Sequence, residues 1–213
     1  MTTRPTPRSQ VSAWEQEYTH VTWGGPRSIQ TVRDHLPQGS RVLDAGCGNG
    51  RHLLPLSRLY RTVGIDISKT ALLASRTYLD KSGQYSEHLV SSITELPFDD
   101  DSFDGIICYG VLQHLFADER RAAMSEFKRV LSPGGFLFFE AFGVDDMRYG
   151  GEEVEPHTFL RNSGLIYHYF TAEEVESLLE DFEVIELKDI RSQKRFRGKL
   201  YPRHMVKGIA QLR

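Results

Sequence analysis

Cysteine is scarce in this sequence: only Cys47 and Cys108 occur among 213 residues, and neither belongs to a C-x-x-C pair or a Cys/His cluster. A disulfide framework or a structural zinc site is therefore not expected, and a reducing cytoplasm is the natural setting. Long apolar runs are also missing. The longest, around residues 106–112, is far short of a membrane span, and the start Met1-Thr2-Thr3-Arg4-Pro5 lacks the apolar stretch of a secretory signal. No membrane partner is expected. Charge of one sign is lacking too, with 26 Lys+Arg against 29 Asp+Glu, so the chain as a whole has no pull towards nucleic acid or lipid. What it does have is length enough for one α/β domain with its own core.

Residues 1–10, with two prolines and small polar side chains, read as a disordered tail ahead of a single domain over 11–213. Residues 11–40 form an N-terminal cap, an aromatic lead-in with Trp14, Tyr18 and Trp23 followed by a helix carrying Ile29, Val32 and Leu36. From residue 41 short β-rich runs alternate with helical patterns, the signature of βαβ units and a mainly parallel sheet. Strands are expected at 41–44, 62–66, 87–91, 103–109 and 136–142, with helices over 51–60, 69–81 and, capped by Asp118, on to Leu131. Residues 143–170 break the alternation and read as a long lid-like insertion rich in Gly, Glu and aromatics. Thr171-Ala172-Glu173-Glu174 is a capping box opening another helix, and β-rich runs at 182–190 and 204–210 suggest a terminal hairpin joined by a basic turn.

The chemistry begins at Val42-Leu43-Asp44-Ala45-Gly46-Cys47-Gly48-Asn49-Gly50, where three glycines lie between a strand and a helix. Such a turn lets backbone approach a ligand, although alone it is equally a structural strand-to-helix connection. Two absences narrow it. Arg51 stands where a nicotinamide-binding G-x-G-x-x-G needs its third glycine, and no Lys-Ser or Lys-Thr pair follows to make a phosphate loop. Asp66, ending the next strand, either binds a ribose or caps the following helix. Glu95-Leu96-Pro97-Phe98 and Val130-Leu131-Ser132-Pro133-Gly134-Gly135 flank the fourth strand and precede the fifth.

With these segments the chain resembles class I S-adenosylmethionine-dependent methyltransferases over roughly residues 41–142: a D-x-G-C-G-x-G loop, an L-P-F…S-F-D stretch and an L-x-P-G-G turn. The resemblance implies an α/β, Rossmann-like, doubly wound seven-stranded sheet, mainly parallel with an antiparallel last strand. It implies S-adenosyl-L-methionine as cofactor and S-adenosyl-L-homocysteine as product. Asp44, Ala45, Gly46, Cys47, Gly48, Asn49 and Gly50 would hold the methionine portion, with Asp44 near its cationic groups. Asp66 would hold the ribose, with Ile67 beneath the adenine. Ser92 stands where the family usually has an acid for the adenine amino group, a departure that leaves Ser92 and Ile93 to make that contact. Tyr109 and Gly110 fall at the crevice, and Trp14, Tyr18 and Trp23 match aromatic elements that cover the methionine end, unless they are core packing.

Methyl transfer from a sulfonium is an in-line displacement that needs the nucleophile about 3 to 3.5 Å from the methyl carbon in a dry site, and no obligatory catalytic residue follows. Where a base is needed, His114 is the catalytic candidate, with Tyr109, Glu140 and His168 also placed for it; His114 is otherwise a structural hydrogen-bonder. The insertion, with Arg148, Tyr149, His157, Phe159, Arg161, Tyr167, His168 and Tyr169, is expected to roof an acceptor pocket. A small-molecule acceptor is favoured. An RNA acceptor competes, because residues 188–213 hold nine Lys/Arg against one acid, Asp189, although a solvated hairpin explains the run as well. A fold retained for S-adenosylmethionine binding without catalysis is the third reading.

Overall fold

A computed structural model describes residues 4–20 and 24–213, so Trp23 lies outside the described residues. The chain runs α1 (Pro7–His20), α2 (Gln30–Arg33), β1 (Arg41–Ala45), α3 (Leu53–Leu56), β2 (Arg61–Asp66), α4 (Lys69–Asp80) and β3 (Glu87–Val90). It continues through β4 (Phe103–Tyr109), α5 (Ala117–Val130), β5 (Leu131–Phe142), β6 (Glu152–Glu155), β7 (Thr158–Leu160) and β8 (Ile166–His168). It ends with α6 (Ala172–Leu178), β9 (Phe182–Phe196) and β10 (Lys199–Leu212).

Seven strands form one sheet in the order β3-β2-β1-β4-β5-β10-β9. The pairs among β1 to β5 are parallel, and β10 inserts antiparallel between β5 and β9, which is the doubly wound sheet the resemblance implies. Successive side chains alternate faces, so both sides of the central strands are core. Leu43, Ile106, Leu137 and Phe139 pack with Phe127 and Val130 of α5 on one face. Val42, Ile107 and Phe138 pack with Val32 and Leu56 on the other. Each such side chain contributes about 1.5 to 3 kcal/mol by leaving water. The order reverses direction between β1 and β4, the switch point beyond whose carboxyl strand ends open α/β sheets bind their ligands.

Several elements differ from the sequence expectation. The tail expected over 1–10 gives way to helix at Pro7: Thr6 Oγ1 accepts the Ser9 N–H at 3.2 Å, and proline at a first helical position forgoes no needed bond. Asp118 does not cap α5; Phe116 does, with its N–H donated to Glu119 Oε2 at 2.8 Å, while Asp118 pairs with Arg4 at 2.7 Å. The helix expected over 51–60 shrinks to α3 because Pro55 has no N–H to donate to the Arg51 carbonyl, which accepts from Arg27 at 2.9 Å. The insertion is ordered as a three-stranded antiparallel sheet, β6-β7-β8. The hairpin strands run on through the basic segment to a two-residue turn, Arg197 and Gly198, with φ of 47° and 81°, the left-handed pair that matches hairpin twist.

Candidate active site

The glycine turn leaves β1 and is held by β2: the Gly46 and Cys47 N–H groups both donate to the Ile65 carbonyl, at 2.9 and 2.8 Å. Gly48 has φ of 53°, and a Cβ there would strike the Tyr18 hydroxyl, so absence of a side chain is required twice over. A Cβ at Gly46 would strike Val111 of the turn after β4, and one at Gly50 would meet Ser75 of α4. The turn is thus wedged between α1, α4 and the end of β4. Tyr18, from α1, forms its outer wall, and burial beside Asp66, Cys47 and Asp44 raises its hydroxyl pKa.

Two carboxylates lie under this turn. Asp44 is 2% exposed, and its Oδ2 makes no hydrogen bond. Burial first, then the charge of Asp66, raises its pKa to about 7. Asp66 accepts the Gly48 N–H at 3.0 Å and the Ser68 N–H at 2.9 Å. Burial still lifts its pKa to about 6 against those bonds. A pair of buried carboxylates without a counter-cation calls for a ligand with positive charge. Each Asp66 oxygen keeps a further lone pair for a ligand hydroxyl. The residues present therefore fit a cationic nucleoside.

Ile67 is half-buried beside Asp66. Ser92 is absorbed locally, its hydroxyl 2.7 Å from Thr94 Oγ1 and accepting the Thr94 N–H at 3.2 Å. The Ile93 side chain packs into the core with Leu96 and Phe103, which leaves its backbone for the expected adenine contact. Asn49 completes the turn, and Ala45 is buried at the end of β1.

At the end of β4, Tyr109 turns to the α2/α3 face, its ring 5.0 Å from His52, while the Gly110 N–H donates to the Glu140 carbonyl at 2.7 Å. His114, in the one-turn helix that follows, lies between Trp14 at 4.8 Å and Tyr167 at 4.9 Å, both edge-on. A carbonyl can only accept, so the 2.9 Å contact to Ile166 oxygen places the His114 proton on Nδ1. Gln113 accepts the Phe142 N–H at 3.2 Å and directs its own NH2 towards His114 Nε2 at 3.4 Å. Burial lowers the His114 pKa to about 4, so the ring is neutral.

The other base candidates are otherwise engaged. His168 is buried, 2.8 Å from Thr158 Oγ1 and 2.6 Å from Glu174 Oε2, and Glu174 also pairs with Arg120 at 2.9 Å; this ties β7, β8, α5 and α6 together. Glu140 is paired with Lys207. In the insertion, Phe159 and Tyr169 pack on Phe142, Tyr149 bonds His157 at 2.7 Å, and Arg161 reaches the Gly150 carbonyl at 2.8 Å and the Tyr169 hydroxyl at 2.5 Å. Glu15 of α1 is a residue that local pattern does not flag. It accepts the Lys69 N–H at 2.6 Å, the Thr70 N–H at 3.1 Å and the Ser68 hydroxyl at 3.1 Å, and so fastens α1 across the start of α4. Among the described residues no cluster of three or more His, Cys, Asp or Glu is arranged to hold a metal ion, and no helix is long and apolar enough to cross a membrane.

An open α/β sheet with a glycine turn and paired carboxylates at its switch point defines a nucleoside-cofactor protein. The model of the "Methyltransferase domain" family matches residues 43–139. "O-methyltransferase resE" of Aspergillus sclerotiorum is 30% identical over 92% of this chain and 83% of its own. The "tRNA (carboxymethyluridine(34)-5-O)-methyltransferase" of Arabidopsis thaliana is 38% identical, over 55% of this chain and 28% of its own. The chain thus spans only about a quarter of the length of such tRNA-modifying relatives. A crystal structure of a SAM-dependent methyltransferase from Methanosarcina mazei superposes with a TM-score of 0.74 at 28% identity, covering 88% of this chain and 98% of that one. The chain belongs to the class I S-adenosylmethionine-dependent methyltransferases.

Proposed function

We propose that this protein transfers a methyl group from S-adenosylmethionine to a small-molecule acceptor. The observation that carries the cofactor half is Asp44, a buried carboxylate with an unpartnered oxygen beneath the glycine turn. The acceptor half is supported by likeness to an O-methyltransferase at 30% identity over 92% of the chain, whereas the tRNA-modifying relatives above 30% identity match little more than half of it and one that matches 83% is only 25% identical. Bound S-adenosylmethionine supplies a methyl on a cationic sulfur, which keeps the bond pair as the acceptor's lone pair forms the new bond.

The chain's own part is to hold, orient and dry. Residues 46–50 offer backbone, Asp44 offers charge to the cationic end, and Asp66, Ile67, Ser92 and the Ile93 backbone serve the nucleoside. Tyr109 and Gly110 floor the crevice, and Trp14, Tyr18 and Tyr167 exclude water. His114 is a poor store for a proton with a pKa near 4. Its Nε2 lone pair, only 3.4 Å from Gln113 and so at the long end of hydrogen bonding, is suited to orient an acceptor N–H or O–H. The acceptor's proton then leaves to solvent or buffer.

One observation favours RNA as the acceptor. At the hairpin tip Lys194, Arg195, Arg197 and Lys199 are exposed beside Phe196 and Tyr201, and residues 191–200 are all exposed. Four phosphate contacts to a single strand predict a log-log salt slope of about -3. Weak binding without that slope removes the RNA reading.

Calorimetric titration with S-adenosylmethionine and with NAD, repeated on Asp66→Ala, tests the cofactor assignment. Binding of S-adenosylmethionine alone, weakened by the substitution, is expected. Binding of NAD alone, or indifference to the substitution, refutes it. Tight binding without transfer to any acceptor in a broad screen of phenols, amines and acids would leave the non-catalytic reading instead.

A further inference from the structure

The turn that follows β5 carries a guanidinium with a donor to spare. Arg148 donates from Nε to Asp146 Oδ1 at 2.8 Å, and its backbone N–H goes to the same oxygen at 3.1 Å. The second Asp146 oxygen accepts from Arg203 Nε at 2.8 Å and from the His204 N–H at 3.3 Å. One buried carboxylate therefore serves two guanidiniums through their Nε atoms, and neither of its oxygens is taken by the Arg148 terminal nitrogens. Nη2 of Arg148 is buried and makes no hydrogen bond. A buried donor without a partner costs about 1 to 3 kcal/mol, more when charged.

The surroundings say what would complete it. The Arg148 guanidinium carbon lies 3.6 Å from the centroid of the Phe142 ring, and that ring is 5.9 Å from Tyr167, the wall of His114. The Arg148 charge is felt at both His114 and Tyr167. It thus belongs to the aromatic group at the carboxyl ends of β4 and β5, on the acceptor side of the crevice. Arg161, the other arginine of the insertion near Tyr167, is different: its Nη1 and Nη2 bond to the Gly150 and Arg148 carbonyls and the Tyr169 hydroxyl, which makes it a brace.

We infer that Arg148 anchors a carboxylate of the methyl acceptor, and that the acceptor is a planar, ring-bearing acid seated among Phe142, Tyr167 and His114. This rests on the methyl-transfer reading above. The planar fork suits a carboxylate held by Nη2, and aromatic walls suit a flat ring. Arg148 is then a specificity-determining residue that fixes which atom of the acceptor faces the methyl group.

The test compares benzoate with its neutral isostere benzamide, titrated by calorimetry or ligand-observed NMR into the protein saturated with S-adenosylhomocysteine. Benzoate is expected to bind about 10- to 100-fold more tightly, the range of one charge-assisted hydrogen bond. The preference should vanish in Arg148→Met and survive in part in Arg148→Lys, which keeps the charge without the fork. Equal binding of the two probes to the wild type, or an undiminished preference in Arg148→Met, overturns the inference. Should Arg148→Met fail to fold, the wild-type comparison and Arg148→Lys decide. Failure of the wild type to bind S-adenosylhomocysteine would bring down the methyl-transfer reading itself, a result read separately.

Discussion

Replacing Asp44 with asparagine should make the ligand-free protein more stable and the cofactor complex weaker. Asp44 has a pKa of about 7 in the fold against an ordinary 3.8, because burial and Asp66 disfavour its charge. A carboxyl group with a raised folded pKa leaves the fold unharmed below pH 3.8 and destabilises it increasingly as pH rises through 7. The full gap of about three pH units corresponds to about 4 kcal/mol at pH 8, an upper bound because water entering the crevice would soften it. For a chain of this size that is a rise of up to about 8 to 16 °C in the melting temperature of Asp44→Asn at pH 8, shrinking towards zero near pH 4. The cofactor changes the sign: a cation beside Asp44 favours its ionised form, so binding to the wild type must expel a proton below pH 7. Affinity for S-adenosylmethionine should therefore climb between pH 5.5 and 7.5, steepest at the acid end, while Asp44→Asn binds about 10- to 100-fold more weakly with a flatter profile. Scanning calorimetry across pH and titrations in buffers of different ionisation enthalpy read both effects. A mutant no more stable than the wild type at pH 8, together with wild-type binding that releases no proton, would refute the placement of Asp44 as a charge waiting for a cation.

Gly48→Val sets a branched side chain at positive φ against the Tyr18 hydroxyl. Cofactor binding should be lost beyond detection by calorimetry while the far-ultraviolet circular dichroism stays native; retained affinity would remove Gly48 from the site. Glu174→Ala strips the partner from buried Arg120 and from His168. It should cost about 3 to 5 kcal/mol of stability in urea unfolding, the usual price of an orphaned buried charge, with little change in cofactor affinity if the ring is purely a brace. Glu15→Ala frees the start of α4 from α1. Amide hydrogen exchange in residues 7–20 should quicken, and unchanged protection would show that α1 is held by its aromatic contacts alone.

The parallel core was legible because its strands are buried on both faces and read as continuous apolar runs, as in Ile106-Ile107-Cys108 and Phe138-Phe139. The antiparallel last strand followed from the family resemblance and is held by long-range pairing of Met205 to Gln211 with β5. The insertion escaped notice as a sheet for a physical reason: Glu152–Glu155 carries three glutamates in four residues, and its strands are three or four residues long. What orders them is packing between the two ends of the insertion, of Phe159 and Tyr169 on Phe142 and of the Tyr169 hydroxyl, which donates to the Arg148 carbonyl at 2.6 Å, and a local window does not show it. Thr6-Pro7 is a readable helix start, a cap followed by proline, but it is surrounded by residues whose composition suits a tail.

The site divides along the same line. The glycine turn, Asp44 and Asp66 were readable because they are contiguous with strand ends, where the topology alone decides what they face. Glu15 and Gln113 were not, because each acts through a partner 29 or more residues away, and Arg148 was legible only as a residue of the insertion, without its pairing to Asp146 or its place over Phe142. The cofactor half of such a site is therefore written into the sheet. On the proposed reading the acceptor half belongs to the insertion, where Arg148 is paired with Asp146, lies over Phe142 and keeps one unpartnered nitrogen. On the proposed reading, substitutions at Arg148 should alter acceptor choice and leave S-adenosylmethionine affinity unchanged, whereas changes near Gly164, whose carbonyl accepts from Gln10 of α1 at 2.8 Å, should reach the cradle through the helix that carries Tyr18.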